Sequence, residues 1–331
     1  MRTAVMACMR DECMFVTEWV AYHRVIGFDH VYIATNDCSD GTDALCDRLH
    51  RMGVITHLRN DDHGATPPQI AGVAKVLAQP GVGELRWLLH IDADEFLNIH
   101  DGDGRLAGWL PCLGEHDAAA VAWRLFGDSG LEDWPEGGLQ TEAFTWAAAV
   151  SRTFGAMQKT MFRPASFRAG IDHMPKRPTR RDVTLCNALG RPLHPGALHH
   201  PTECNHQAAG DGVTNRKRHF PWQGAVINHY AARTQDLFLL KNWRGDGKRS
   251  RFVKRYFLNS RWHRAANRNE VEETSIQHHI PEVRALMALW RARDRRVGEI
   301  EAAAHGRYRR ACDTHLTEAE VARLTNRRKV A

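Results

Sequence analysis

The chain has 331 residues, of which 43% are hydrophobic and 25% charged, with a net charge of +6 and a pI of about 9.0. This is globular composition, enough for one large domain or a domain with an appended subdomain; the mild excess of base suits anionic ligands and does not argue for nucleic acid by itself. No apolar run approaches the ~20 residues of a membrane helix, and the first apolar run breaks at Arg10-Asp11-Glu12, too early for a signal peptide. The eight cysteines are scattered without a C-x-x-C pair and read as free thiols in a reducing cytoplasm.

Taken in order, Thr3–Cys8 reads as a buried strand that stops at the charges of Arg10-Asp11-Glu12. Phe15, Val16, Trp19, Val20 and His23 recur at helical spacing up to Gly27. His30–Ala34 is a second strand; the polar turn Thr35 to Thr42 follows it, with Asp40-Gly41 as a turn pair, and leads into a helix from Asp43 to Met52. Val54–Leu58 is a third strand, Pro67 and Pro68 open a helix to about Gln79, and Glu84–Ile91 is a fourth strand. Strands alternating with helices predict a doubly wound, mostly parallel sheet. Its strand ends carry Asp11/Glu12, Asn36/Asp37/Asp40 and Asp92/Asp94, which in a parallel sheet fall on one edge, where ligands bind.

The second half is less regular. Ala118–Phe126 is a fifth strand, Glu142–Phe154 is expected to be helical, and Lys159–Phe162 and Gly170–Met174 are short strands around a Pro164 turn. Residues 175–224 are rich in Pro, Gly, His and Arg and read as a loop or lid, because connections beyond about 12–15 residues are usually functional or disordered. Within them, Arg216, Lys217 and Arg218 form a tight basic triplet suited to phosphate. His194, His199, His200, Cys204 and His206 lack zinc spacing and read as loop residues. Ala225–Tyr230 is a late strand ending in Asn228-His229-Tyr230. Gln235–Trp243, Arg249–Leu258 and Pro281–Ala303 are expected helices, and the tail from Glu318 is a basic helix or a disordered end. The basic run Arg244, Lys248, Arg249, Arg251, Lys254 and Arg255 is either a solvated helix face or a binding surface for a diphosphate or an acidic acceptor.

The chemistry concentrates in Trp87-Leu88-Leu89-His90-Ile91-Asp92-Ala93-Asp94-Glu95. Acids cannot sit unpaired inside a buried strand, so the strand ends near Asp92. Asp92 and Asp94 alternate with Ala93 and point the same way in an extended chain, giving two hard oxygen donors for Mg²⁺ or Mn²⁺ shared with phosphate. His229 is a core histidine or a further ligand of that metal from across the cleft. Asp101-Gly102-Asp103-Gly104 lacks the later ligands of a calcium loop and reads as a turn.

With these residues assembled, the chain resembles a family 2-type glycosyltransferase of the GT-A fold, on the branch related to family 92. Arg10-Asp11-Glu12 with Glu18-Trp19-Val20-Ala21-Tyr22-His23 is similar to the opening block of that branch. Gly27 to Ile33 and Asn36 to Thr42 resemble the next two, and His90 to Leu97 resembles its D-x-D block. Trp123-Arg124-Leu125-Phe126-Gly127-Asp128-Ser129-Gly130 resembles its W-x-x-F-G-S-S-G segment, with Asp128 in place of the first serine. Lys159 to Pro164 and Ile227 to Tyr230 resemble later blocks.

The resemblance implies a Rossmann-like, mostly parallel twisted sheet with flanking helices over residues 1–247, including the 175–224 lid, followed by a helical basic C-terminal extension over 248–331. It implies transfer of a sugar from a nucleoside-diphosphate sugar, a UDP-sugar above all, to a hydroxyl of a saccharide or glycoconjugate, with inversion. By that likeness Asp11, Glu12, Asn36, Asp37 and Asp40 surround the nucleotide of the donor and Asp92 its diphosphate; Arg10, Lys159 and, from the lid, the basic triplet Arg216, Lys217 and Arg218 are the further candidates for binding the nucleotide sugar. Asp92, Asp94 and His229 hold Mn²⁺ or Mg²⁺. Inversion needs a carboxylate base on the acceptor side; Glu132, Asp133 and then Asp128, in the loop after the fifth strand, are the candidates. Nucleic acid is not an expected partner, and the basic C-terminal region is a candidate for peripheral membrane contact. Two alternatives are a nucleotidyltransferase acting on sugar phosphates and a non-catalytic sugar- or nucleic-acid-binding module. The first normally needs a glycine-rich loop after its first strand, and Cys8-Met9-Arg10-Asp11-Glu12 has no glycine.

Overall fold

The structure is a computed structural model that describes residues 2–150, 157–193, 221–244 and 256–325. Its first half alternates as expected: β1 (Thr3–Met9), α1 (Cys13–Val25), β2 (His30–Thr35), α2 (Thr42–Arg51), β3 (Thr56–Arg59), α3 (Pro68–Leu77) and β4 (Trp87–His90). β1 pairs in parallel with both β2 and β4, and β2 with β3. The three acidic strand ends therefore do share one edge.

Immediately after the acids the chain re-enters the sheet as β5 (Glu95–Ile99), a strand absent from the sequence-based expectation. A single-turn helix α4 (Leu106–Trp109) then leads to β6 (Ala118–Leu125). Of the helix expected over Glu142–Phe154, the described part up to residue 150 holds only the end of a single turn, α5 (Gln140–Ala143), followed by the short strand β7 (Trp146–Ala147). The chain turns there because Ser129 Oγ accepts the amides of both Thr145 and Trp146, which takes them out of any helical ladder. β8 (Gln158–Phe162) runs antiparallel between β4 and β6. The strand expected at Gly170–Met174 is instead the turn of a hairpin joining β9 (Phe167–Gly170) to β10 (Pro175–Pro178).

The lid expected over residues 175–224 is not one loop. β10 takes its first residues, β11 (Leu185–Asn187) pairs in parallel with β6, and β12 (Pro192–Leu193) closes on β11. Leu185, Cys186 and Asn187, all buried against Ala118–Ala120 of β6, anchor it to the main sheet, whose order is β12-β11-β6-β8-β4-β1-β2-β3. His194, His199, His200, Cys204, His206, Arg216, Lys217 and Arg218 lie outside the described residues.

β13 (Ala225–His229) pairs antiparallel with β5 and parallel with β6. Helices α6 (Gln235–Arg244) and α7 (Arg261–Ala266) and the strand β14 (Val271–Glu272), paired with β7, follow. Tyr256 to Leu258, the described part of the expected 249–258 helix, is not helical. The single helix expected over Pro281–Ala303 is two, α8 (Ile280–Arg293) and α9 (Arg295–His315), because the Asp294 carboxylate accepts the Arg296 amide at 3.0 Å and caps a new helix. α10 (Glu318–Thr325) ends the described chain.

The main core explains the central place of α1. Nearly all of its residues are buried, so it is covered on both sides. The sheet covers one; α8 and α9 cover the other, contributing Val283, Met287, Trp290, Val297, Ala304 and Tyr308 to the same apolar cluster. The C-terminal helices thus form part of the main core.

Candidate functional site

The site grows out of the register of three strands. β4 delivers Asp92 and Asp94 to the carboxyl edge, and Asp92 to Glu95 form a tight turn into β5, closed by the Glu95 amide on the Asp92 carbonyl at 3.1 Å. Glu95 Oε2 accepts the Asp92 amide at 2.7 Å, and the buried Trp19 indole donates to the carbonyls of Asp92 and Glu95. β13 runs antiparallel to β5 with His229 opposite Glu95, and the Tyr230 amide donates to the Asp94 carbonyl at 2.8 Å. That pairing places the His229 imidazole beside Asp94, with Nε2 3.6 Å from Oδ1. Trp123 of β6 walls the ring on one side, with centroids 4.2 Å apart.

Two lysines complete the centre. Lys159 of β8 is fully buried; its Nζ contacts Asp92 Oδ2 at 2.9 Å, Glu95 Oε2 at 3.1 Å and the Asp172 carbonyl at 2.8 Å. Gln69 of α3 donates to the other Asp92 oxygen at 3.1 Å. Lys241 of α6 lies 3.4 Å from Asp94 Oδ2 and donates to the Ala231 carbonyl at 2.9 Å. Behind them, Glu12 joins Arg233, at 2.8 Å, to Arg244.

These neighbours set the protonation states. Burial would raise the Asp94 carboxyl, but Lys241, His229, Arg233 and Arg244 together hold it well below the usual range. Asp92 is also held below its ordinary value: burial works the other way, and Lys159 overcomes it. Burial, reinforced by Asp92 and Asp94, pushes Glu95 well above its usual value in spite of Lys159. Glu95 and Asp92 thus compete for one ammonium, and Asp92 keeps the charge. Burial pulls His229 down to about 4 against the pull of Asp94, so its imidazole is neutral at pH 7 with a lone pair to offer. Burial also brings Lys241 down to about 8, although Asp94 favours its charged form.

Among the described residues no group of three or more His, Cys, Asp and Glu is arranged to hold an ion. Two donors do fit one: Asp94 Oδ1 and the neutral His229 Nε2, an oxygen and a nitrogen 3.6 Å apart. The carboxylate suits Mg²⁺ or Mn²⁺, which take few protein ligands and the rest from phosphate and water; the imidazole is the softer donor of the two. Asp92, expected as a second carboxylate ligand, has both oxygens engaged by Gln69 and Lys159.

The other expected residues are drawn into scaffolding. Asp11 Oδ1 accepts from Ser39 N, Ser39 Oγ and Asp40 N, tying the end of β1 to the end of β2. Asp40 accepts from Thr42 and, at 2.8 Å, from the Cys13 amide that begins α1. Asp37 gathers Asn36 at 3.0 Å, His63 at 3.7 Å and Arg10 at 4.0 Å. The three candidate bases find partners elsewhere. Asp128 accepts from Asn267 and Asn269, Asp133 pairs with Arg309 of α9 at 3.1 Å, and Glu132 is exposed, its carbonyl accepting the Asp236 amide. Sequence reasoning missed Lys241 and Arg233. The signal was there for Lys241: a base between Leu240 and Asn242 on a helix whose other buried side chains include Leu237, Phe238 and Leu239.

No protein-family model and no curated protein matches the chain. Among solved structures it is similar to S. aureus TarS, at 16% identity over 50% of this chain and 48% of that one, with a TM-score of 0.33. It is also similar to glucosyl-3-phosphoglycerate synthase from Mycobacterium tuberculosis, at 12% identity over 37% and 44% with a TM-score of 0.27. A third is HddC from Yersinia pseudotuberculosis, at 8% identity over 56% and 89% with a TM-score of 0.32. The chain spans about half the length of the TarS chain it matches. Similarities this slight leave the function of the chain to be read from its own residues.

Proposed function

We propose that the chain is a glycosyltransferase of GT-A type that moves a sugar from a nucleoside-diphosphate sugar, a UDP-sugar, to an acceptor hydroxyl of a saccharide or glycoconjugate with inversion. The observation that carries this reading is the juxtaposition of ionised Asp94 and neutral His229 at the sheet's carboxyl edge, with the ammonium groups of Lys159 and Lys241 beside the two aspartates. The acceptor oxygen attacks the anomeric carbon, the bond from that carbon to the diphosphate oxygen breaks, and the diphosphate leaves with the electron pair while the hydroxyl proton passes to a base. Fixed cations aimed at the oxygen that gains charge lower the barrier without reorganising. Asp94 and His229 would hold Mn²⁺ or Mg²⁺, which supplies further neutralisation of the leaving group. Lys159 keeps Asp92 ionised and the D-x-D turn rigid. The placement beside the family 92 branch rests on the sequence motifs alone. The seven described cysteines are free thiols, and no described helix is long and apolar enough to cross a membrane.

The test is calorimetry of UDP binding in the presence of Mn²⁺. Asp94→Ala should lose metal-dependent affinity by roughly 100-fold, about 2.7 kcal/mol, with an unchanged circular dichroism spectrum. Undiminished Mn²⁺–UDP binding by that variant overturns the reading. A donor-hydrolysis screen over nucleotide sugars then identifies the sugar.

A further inference from the structure

A cavity of about 310 Å³ opens beside the acid cluster, between the start of α1, helix α6 and helix α9. Four cations line it: Arg233, Lys241, Arg244 and Arg307. Its lining acids, Asp11 and Asp40, already accept hydrogen bonds from loop and helix amides. Arg244 shares Glu12 with Arg233, and Lys241 faces Asp94. Arg307 donates at 2.6 Å to the Asp40 carbonyl, which is not a carboxylate.

Arg233 is the decisive residue. It is 2% exposed, its Nε donates to Gln140 and its Nη1 to Glu12, and its Nη2, also buried, has no acceptor among the described residues. Its guanidinium lies over the Phe15 ring, 3.9 Å from the centroid. Its backbone φ is 51°, the left-handed region that an arginine adopts only where the surroundings impose it. A buried arginine donor with nothing to donate to costs free energy unless a ligand supplies the acceptor.

We propose that this cavity binds the phosphate group of a phosphorylated acceptor, so that the substrate of transfer is an anionic sugar or polyol phosphate. Charge-assisted bonds from planar guanidinium groups are the usual means of holding a phosphate. The cavity is at the small end of ligand pockets, with room for a phosphorylated sugar or short polyol. Lys241 belongs to both places: it lines the cavity and lies 3.4 Å from Asp94, so a body anchored here presents its hydroxyl toward the centre where the donor is held. The bound body's role as acceptor rests on the glycosyl-transfer reading; the anion site does not.

The experiment titrates the full chain with inorganic phosphate by calorimetry, alone and with saturating UDP–Mn²⁺. Phosphate should bind in both cases. Arg307→Gln, which removes one donor, should weaken it about tenfold. Ala311→Asp, which leaves every arginine in place but sets a carboxylate on the cavity wall, should weaken it at least as much. Neither variant should change UDP–Mn²⁺ affinity, and thermal melts should show both folded. Displacement of phosphate by UDP–Mn²⁺ would assign the cavity to the donor and overturn the proposal. No phosphate binding by the unmodified chain, or undiminished binding by both variants, would also overturn it. If UDP–Mn²⁺ fails to bind while phosphate binds and both variants lose it, the anion site stands and the glycosyl-transfer reading falls.

Discussion

At the scale of single residues, the buried ammonium of Lys159 decides the state of the whole centre. It is the fixed cation between Asp92 and Glu95, at 2.9 and 3.1 Å. Lys159→Met keeps the length of the side chain and leaves the Asp92 carboxylate, 35% exposed, without its partner, a change that costs roughly 1–3 kcal/mol after solvent screening. Urea unfolding should show that loss as a lower midpoint, and a loss below about 1 kcal/mol would mean that the pair is solvated. The buried histidines make a second prediction. Burial lowers His23 to about 3, against the hydrogen bond to the Trp19 carbonyl, and lowers His90 to about 4, with Lys159 acting the same way. Both folded-state values lie below the ordinary 6.5. The unfolded chain therefore binds more protons as pH falls through 6.5, and stability rises with pH across the window from 4 to 6.5. Stability read from urea unfolding should fall steadily from about pH 7 to about pH 4.5, by an amount on the order of a few kcal/mol. Glu95 and Glu18, whose carboxyls burial raises, oppose part of that slope over the same window, so the check is the difference: His23→Gln should flatten the slope, and an unchanged slope would show that this ring is not buried neutral.

Among the elements, α3 and α1 show how packing positions the site. α3 carries Gln69, which holds Asp92, and it meets the sheet through Gly72. A Cβ there would lie 2.6 Å from Cys8 Sγ and 3.0 Å from the Ala34 Cβ. Gly72→Ala should therefore destabilise by about 1–3 kcal/mol through overpacking. Removing the sulfur in Cys8→Ala should recover a good part of that cost, which a double-mutant cycle by chemical denaturation would measure; additivity of the two changes would refute the contact. α1 makes the complementary point. Its periodicity in Phe15, Val16, Trp19, Val20 and His23 is legible as a helix, but Cys13, Ala21 and Tyr22 are buried as well. Its second covered face comes from α8 and α9, far along the chain, and no local pattern announces which distant helices do the covering. The missed strand β5 has the same origin. Glu95-Phe96-Leu97-Asn98-Ile99 is too short to distinguish by periodicity, and it becomes a strand because β13 pairs with all five residues.

For the molecule as a whole, the C-terminal helices both complete the core and wall the cavity. Tyr308 of α9 lies in the main apolar cluster, accepts the Trp134 amide at 2.8 Å and lines the cavity with Arg307. A chain shortened to residues 1–247 would expose one face of α1 and the cluster partners of Val283, Met287, Trp290 and Val297. It should lose the cooperative thermal transition and bind a hydrophobic dye; cooperative unfolding of that fragment at the temperature of the full chain would show that the helices are an independent appendage.

Residue order alone is enough for the alternating fold of the first half, the acidic strand ends at one edge and the standing of Asp92, Asp94 and His229 as residues of interest. Those follow from local physics: apolar runs must be buried, acids must leave a strand, and parallel strands put their ends on the same side. Only the tertiary structure decided which carboxylates remain open. Glu12 meets Arg233 from 221 residues away, and Asp92 meets Lys159 from 67. Asp11 and Asp40 are consumed by loop amides, Asp128 and Asp133 by Asn267, Asn269 and Arg309. An acid's chemistry depends on the partner and burial it receives, and both are set by contacts between distant parts of the chain. That is why the motifs, and His229 as a companion of Asp94, were readable from residue order while the capture of Asp92 by Lys159 and the unsatisfied Arg233 were not.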